Sequence, residues 1–406
     1  MSRQTYVIVG ASLAGASAAA ALRKTGFDGR IVLLGEEREA PYERPELSKK
    51  YLRGVPDTEV GVHDEGFYEE ADVELRTGAR VDAIDVARRA VSVGWERIGF
   101  DRLLLATGSA PKRPEVPCAD LENVMTLRTR QDADAIRERA AHADSIVVVG
   151  GGWIGSEVAA SLRQLGHEVT LVTPTRTPLE RLLGPEVGEV YRAAHERAGV
   201  RLLGGTMATA FEGDGRVARV RTAEGRAILA DLVVIGIGAS PRTELAAAGG
   251  LDVDDGILTD ERLETSVPGI YAAGDVANAW HPHYGRRLRV EHWDNAKRQG
   301  RAAAANMLGR GAIYDRIPYF YSNQYDLGME YTGFAPTWDR VAFRGDPGSR
   351  EFVAFWLASD RVVAGMNLNV WDVQPAIERL TRSAAPIDLV QLTDMARPLA
   401  ELTPAA

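Results

Sequence analysis

One pattern, written twice, constrains this chain more than any other feature. Residues 5–36 read TYVIVGASLAGASAAAALRKTGFDGRIVLLGE, and residues 145–173 read SIVVVGGGWIGSEVAASLRQLGHEVTLVT. Each copy is an apolar β-branched run, a glycine-rich turn, an Ala/Leu-rich helical stretch, a glycine near its end and a second apolar run. That order predicts a β-α-β unit with parallel strands. The copies lie too far apart for a stacked solenoid, so they predict two related domains. A second pair of segments rhymes in the same way. Residues 101–108 (DRLLLATG) and 231–238 (DLVVIGIG) each predict a buried strand running into glycine.

Glycine spacing gives both units their chemistry. Gly150-x-Gly152-x-x-Gly155 follows a predicted strand and opens a helix. In that setting the first glycine permits the tight turn, the second lets backbone approach a pyrophosphate, and the third lets helix pack on strand. The helix start then offers free N–H groups and a positive dipole end to phosphates. The first copy reads Gly10-x-Ser12-x-x-Gly15, and serine is small enough to keep the approach close. A dinucleotide site also wants an acid roughly 20 residues on, for a ribose hydroxyl. Glu36, just past residues 31–34, stands there; otherwise it is a solvated loop charge. The second copy continues instead with Thr173-Pro174-Thr175-Arg176, and Glu180 is its first acid. A carboxylate there would favour NADH and repel a 2′-phosphate, so its absence, with Arg176 nearby, leaves NADPH open. The plain alternative for Arg176 is a surface arginine.

A third signature is TSVPGIYAAGD, residues 265–275. A strand delivers Gly274-Asp275 into a turn, where the aspartate can accept a ribityl hydroxyl. A helix is expected to follow, with its N-terminus towards flavin phosphates or the ring edge. The order GxSxAG (Gly10, Ser12, Ala14, Gly15), ATG (Ala106, Thr107, Gly108), GGGxIGxE (Gly150 to Glu157) and YAxGD resembles the FAD-dependent pyridine-nucleotide reductases of glutathione-reductase-like fold. Within them, PYERPELSK (41–49) and RVEHWDNA (289–296) resemble the oxygenase-coupled ferredoxin reductases of the putidaredoxin reductase type, across essentially the whole chain.

That resemblance implies roles by position. Ala14, Glu36, Arg44, Lys49, Val81, Arg128, Asp275 and Trp293 match places that contact FAD. Gly152, Ile154, Gly155, Glu157, Gly238 and Glu291 match places around the nicotinamide nucleotide. Lys49, Glu157 and Glu291 are the candidates for the catalytic centre. Lys49 is a cation suited to stabilising negative charge on a reduced flavin; without the family it reads as a surface lysine beside Lys50. Glu157 otherwise reads as an acid favoured by the helix dipole. The chain departs from the family twice. Tyr321-Ser322-Asn323-Gln324 stands where Trp-Ser-Asp-Gln is usual, which keeps an aromatic ring and loses a charge. Thr173 stands where an acid is usual.

Composition excludes several rivals. The single cysteine, Cys118, can form neither an internal disulfide nor a Cys-x-x-Cys relay, and Tyr42 and Arg44 occupy the region where relatives of this fold carry a redox cysteine. Cys118 itself reads as a linker cysteine. Electrons would therefore leave the flavin by outer-sphere transfer to a docked iron–sulfur ferredoxin. The 48 basic and 57 acidic residues give a net charge of −9, which argues against nucleic acid. A local basic patch should still steer an acidic ferredoxin; candidates are Arg286, Arg287 and Arg289, then Lys297, Arg298 and Arg301, then Arg310. No run reaches the ~20 apolar residues of a membrane span, so a cytoplasmic protein is expected. His281, His283 and His292 lack a further ligand at metal-binding spacing, and no metal is expected.

These readings predict an α/β protein with two Rossmann-like dinucleotide-binding domains and a C-terminal α+β domain. The expected divisions are 1–112 and 234–315 for FAD, 113–233 for NAD(P)H, and 316–406 for the aromatic-rich tail. In that tail, residues 351–356 alternate like an antiparallel strand, and Pro386 and Pro398 flank a final helical stretch. The expected activity is an NAD(P)H-dependent ferredoxin reductase, leaning to NADH, that serves a cytochrome P450 or Rieske oxygenase as monomer or homodimer. Its rivals are a flavin NADH oxidase or diaphorase, and a redox-gated protein resembling apoptosis-inducing factor.

Overall fold

The computed structural model describes residues 4–383 and 385–402. By contacts the chain forms two units. One comprises the chain through Glu43, Glu59–Ala110 and Ser240–Arg316; the other comprises Arg44–Thr58, Pro111–Ala239 and the chain from Ile317 onward.

The first unit is organised by a five-stranded parallel sheet, in the order Ile270–Ala272, Arg102–Leu105, Thr5–Val9, Arg30–Leu34, Val73–Arg76. Val7 pairs with Val32 on one side and Leu103 on the other. Apart from the edge strand Val73–Arg76, these strands are nearly continuous apolar runs because the sheet is covered on both faces. On one face Ile8, Leu33 and Leu104 pack under the helices Leu13–Lys24 and Trp293–Met307. On the other, Val7, Val32 and Leu103 meet Val91 and Ile98 of a small antiparallel sheet, and Phe100 just after it. The two helices come together at backbone distance: a Cβ on Gly300 would stand 2.2 Å from the Ala14 carbonyl oxygen. The LAGASAAAA start of the first helix answers that need for small side chains.

One expectation fails here. Gly274-Asp275 leads into a strand, Ala277–His281, and not into a helix. The buried Val276-Ala277 pair docks beside Ile257–Thr259, where Ile257 N donates to Val276 O at 2.7 Å. Alternation then puts Ala277, Ala279 and His281 inside. Strand pairing overrides the small-residue composition that reads as helix. The helix arrives later, at Trp293.

The second unit repeats the parallel sheet in the order Arg201–Gly204, Glu168–Thr173, Ser145–Val149, Leu232–Ile235, Val124–Thr126. It also contains the tail, a five-stranded antiparallel sheet ordered Tyr319–Gln324, Leu327–Gly333, Arg361–Leu368, Glu351–Ala358, Arg340–Asp346. In Glu351–Ala358 the two faces have different partners. Phe352, Ala354 and Trp356 pack with Leu183, Val187 and Tyr191 of helix Glu180–Arg197. Val353, Phe355 and Leu357 pack with Ile377 and Leu380 of helix Gln374–Ser383. Trp356 is fully buried and donates from Nε1 to Leu183 O at 3.3 Å; truncating it to alanine would cost about 3–5 kcal/mol.

The helix expected between Pro386 and Pro398 is short, Leu389–Thr393. Arg344 takes the carbonyls of Leu392 and Arg397, and Leu392, Leu399 and Leu402 are buried in the core, so the chain follows its anchors instead of extending the helix. Among the described residues, no helix is long and apolar enough to cross a membrane.

Candidate functional site

In the first unit the Gly10 turn is forced by sterics. Its φ of +115° is open to glycine, and a Cβ there would lie 2.1 Å from Ala106 O. Ser12 caps helix Leu13–Lys24 in extended backbone, makes no side-chain cap bond, and leaves the first turn without an acid. The N–H groups at this helix start therefore lack the usual side-chain acceptor, as an anion cradle requires. Ala14 is held small from two sides, by Gly300 and by Gly274, whose missing Cβ would stand 3.1 Å from the Ala14 Cβ. Ala106, Thr107 and Gly108 close the turn opposite: Thr107 Oγ1 donates to Arg242 O at 2.8 Å, and Arg242 N to Gly108 O at 3.0 Å. Glu36 follows the strand Arg30–Leu34 and pairs with Arg242 at 2.9 Å and Arg80 at 3.7 Å. Gly274 N donates to the buried Gln299 at 2.9 Å, and Asp275 accepts from Ser109 at 3.0 Å. Trp293 opens helix Trp293–Met307, with Lys297 Nζ 4.4 Å from its ring centroid. Val81 is half-buried against the core, and Glu291 pairs with Arg289. Uncapped helix N–H groups, Glu36 and Asp275 together supply donors for a pyrophosphate and acceptors for hydroxyls. That donor set fits a flavin dinucleotide.

In the second unit Gly150 repeats Gly10: its φ is +110° and its Cβ would meet Gly236 O at 2.3 Å. Gly152 opens onto empty space, with nothing within 4 Å of a built Cβ. It precedes helix Trp153–Gln164, which has no side-chain cap and no acid in its first turn. This cradle fits the phosphates of a second dinucleotide. Ile154 beside it is an exposed apolar side chain, 43% accessible. Gly238 also takes positive φ, +107°, and accepts from Lys112 N at 2.9 Å. Thr173 is the last residue of Glu168–Thr173, buried, with Oγ1 3.0 Å from that of Thr175. Arg176 is exposed. Glu180 is occupied with the Thr177 backbone N–H at 2.8 Å, so it does not replace the missing ribose acid.

Glu157 and Lys49 are brought together. Glu157 lies on the second turn of helix Trp153–Gln164 and is 4% exposed. Lys49 Nζ stands 3.0 Å from its Oε2 and also donates to Pro45 O at 2.9 Å. The Tyr321 ring centroid lies 5.5 Å from the same ammonium. Ser48 donates to Oε2, and Ser322 to Oε1 at 2.7 Å. Ser161 Oγ, one turn along the helix, holds Ser48 O at 2.6 Å. Removing either partner of such a buried pair costs about 3–5 kcal/mol, because a desolvated charge is left behind. Arg44 and Arg128 sit together as well, Arg44 donating to Arg128 O at 2.6 Å.

Sequence reading missed Ser48, Ser322, Gln324 and His195. A signal was there: Tyr319–Gln324 is a strand, so Ser322 and Gln324 share a face, and both are buried while Asn323 is exposed. The expected basic patch is also reduced. Arg289 is tied to Asp255 and Glu291 and is 14% exposed, Arg298 pairs with Asp294, and Arg310 donates to Thr25 O. Among the described residues, no group of three or more His, Cys, Asp or Glu is placed to hold a metal ion.

Comparison with known proteins places the family and the fold. Residues 4–300 match the family described as pyridine nucleotide-disulphide oxidoreductase, and residues 319–403 match a reductase C-terminal domain. The ferredoxin–NAD(+) reductase component of the anthranilate 1,2-dioxygenase system from Burkholderia cepacia is 38% identical over 97% of this chain and 98% of its own. Putidaredoxin reductase from Pseudomonas putida is 36% identical over 98% of this chain and 97% of its own. A solved covalent putidaredoxin reductase–putidaredoxin complex superimposes with a TM-score of 0.94 at 35% identity, covering 99% of this chain and 98% of that one. The ferredoxin reductase for the CYP199A2 system from Rhodopseudomonas palustris gives 0.94 at 34%, covering 98% of each. The chain belongs to the pyridine nucleotide-disulphide oxidoreductases, in the branch that carries the reductase C-terminal domain.

Proposed function

We propose that the protein is an FAD-containing, NADH-dependent ferredoxin reductase that supplies electrons to an oxygenase through an iron–sulfur ferredoxin. The observation that carries this reading is a disulfide-reductase fold without a redox thiol. Its one cysteine, Cys118, is exposed in the loop between Ser109–Pro111 and Val124–Thr126. The named relatives of oxygenase systems support the choice of acceptor. When bound, the flavin supplies the means to take a hydride from the nicotinamide and release electrons singly.

The protein's own residues position and neutralise. Gly10, Ser12, Ala14, Gly15, Glu36, Val81, Ala106, Thr107, Gly108, Gly274, Asp275 and Trp293, with Arg44, Lys49 and Arg128, are proposed to bind FAD. Gly150, Gly152, Ile154, Gly155, Thr173, Arg176 and Gly238 are proposed to bind the nicotinamide nucleotide. Lys49 is proposed to balance charge on the reduced cofactor, with Glu157 fixing its ammonium, and Glu291 to serve the nicotinamide. The domain division 1–112 with 234–315, 113–233 and 316–406 is proposed with them.

The test is cytochrome c reduction by the purified holoenzyme with NADH or NADPH, with and without oxygenase-system ferredoxins. Stimulation of tenfold or more by a ferredoxin is expected. Rapid nucleotide oxidation that no ferredoxin accelerates would overturn the reading in favour of an oxidase.

A further inference from the structure

Beyond Glu157, the second unit contains a chain of buried side chains that the proposed chemistry does not use. Ser322 Oγ lies 2.7 Å from Glu157 Oε1, and Gln324 Nε2 3.3 Å from Ser322 Oγ. Gln324 Oε1 lies 3.0 Å from His195 Nε2, and Tyr325 OH 3.0 Å from His195 Nδ1. Glu157, His195, Ser322 and Gln324 are all buried.

The protons of this chain can be placed from one end. The carboxylate of Glu157, as ion-pair partner of Lys49, only accepts, so Ser322 donates its hydroxyl proton to it. Ser322 must then accept from Gln324, which turns the amide nitrogen towards serine and the amide oxygen towards His195. That oxygen needs a donor, so His195 carries its proton on Nε2. Burial holds the imidazole neutral, with its pKa pushed down to about 4. Nδ1 is therefore an acceptor and takes the Tyr325 hydroxyl proton. Every link donates towards Glu157; in the reverse arrangement the Gln324 amide oxygen would face Ser322 Oγ at 3.3 Å with no proton between them, because the serine proton is committed to Glu157.

We propose that His195, Gln324 and Tyr325 are positioning residues: they form a one-directional hydrogen-bond chain that locks the Ser322 proton onto Glu157 and thereby fixes the Glu157–Lys49 pair. Without the His195 Nε2–H, the Gln324 amide is free to turn its oxygen to Ser322. That oxygen then competes with Glu157 Oε1 for the one serine proton, which weakens the hold on the carboxylate without abolishing it. The carboxylate gains freedom to shift, and Lys49 with it. That Lys49 and Glu157 serve hydride transfer rests on the reading given above; the polarity of the chain does not.

Two measurements on the holoenzyme test this. The first is ¹⁵N NMR of labelled histidine at pH 7, which is expected to show His195 as the neutral Nε2–H tautomer. An Nδ1–H or doubly protonated ring would overturn the chain. The second is anaerobic stopped-flow reduction of the flavin by NADH, without ferredoxin. His195→Met should slow reduction about tenfold while NAD⁺ affinity changes less than threefold. His195→Gln can donate to Gln324 and accept from Tyr325, so it should stay within about twofold of the parent. Ser322→Ala should slow reduction as His195→Met does, and combining the two should add little, as coupled residues of one network do. Equal losses in His195→Met and His195→Gln, or multiplying losses in the double variant, would overturn the proposal. If His195→Met does not fold, Gln324→Met takes its place in the cycle. A parent protein whose flavin neither nucleotide reduces would sink the reductase reading, and the tautomer would still decide the chain.

Discussion

In the first nucleotide loop a Cβ on Gly15 would stand 2.0 Å from Gly10 O; in the second, a Cβ on Gly155 would stand 1.9 Å from Gly150 O. The backbone of the glycine turn is thus built twice to the same tolerance. Away from the turns the two modules diverge. Glu36 follows the second strand of the first module, whereas Thr173 ends that of the second. Seven residues after the first glycine stands Ser17 in one helix and Glu157 in the other, both buried. The first helix spends its surface on close packing against Trp293–Met307. The second spends it on a buried carboxylate held by Lys49, Ser48 and Ser322. Backbone geometry is shared at the turns proposed to hold a pyrophosphate in both modules, and side chains differ where the proposed tasks differ.

The largest expected effect tests the shared part. Gly15→Ala and Gly155→Ala each push a methyl group into a carbonyl that belongs to the same turn and cannot swing aside. Each should cost about 3 kcal/mol of stability, at the upper end of overpacking. Thermal melting of the apoprotein and holoprotein reads the cost. If one alanine is tolerated and the other is not, the two turns are not equivalent, and the comparison fails at its base.

A smaller effect tests the first module's own chemistry. Glu36 is half exposed, and its contacts with Arg242 and Arg80 are surface ion pairs, worth about 0–1 kcal/mol. Glu36→Gln should therefore leave melting of the apoprotein nearly unchanged. It should weaken FAD retention about tenfold or more, since a charged acceptor for ribose hydroxyls contributes roughly 1.5–3 kcal/mol. Flavin release under dialysis, followed by fluorescence, checks this. Undiminished retention would mean that Glu36 is a loop charge and that its likeness to a ribose acid is accidental.

What the sequence discloses follows the same division. Both parallel sheets, both turns and the C-terminal antiparallel sheet are legible, because local periodicity and glycine spacing write them directly. The strand after Asp275 is not, since Val276 and Ala277 become extended only by pairing with residues distant in sequence. The Glu157 cluster is half legible: the resemblance points to Lys49 and Glu157, but Ser48, His195 and the pair Ser322 and Gln324 come from three places in the chain. A serine or a glutamine carries no signal of its own. Only folding brings Ser48 and Ser322 onto one carboxylate and lines Gln324 and His195 up behind Ser322. The basic run 286–289 misleads for the converse reason, since charge in sequence does not say which arginine will be tied down by a neighbouring acid.

The smallest expected effect addresses the residue at which the modules differ most plainly. Thr173 is neutral, while the exposed Arg176 lies three residues further on. A carboxylate at position 173 would accept from a ribose 2′-hydroxyl and repel a 2′-phosphate. Thr173→Asp is close in size and suits a crowded position, because a Cβ on Gly151 would already lie 2.7 Å from Thr173 Oγ1. It should lower the NADPH-to-NADH ratio of kcat/KM about tenfold, which corresponds to about 1.4 kcal/mol. Arg176→Ala should lower the same ratio by a smaller factor, about threefold, through loss of one exposed cation. Steady-state kinetics with both nucleotides measures each ratio. If both variants leave the ratio where it was, the second module does not read the ribose at this strand end, and the analogy with Glu36 stops at the phosphates.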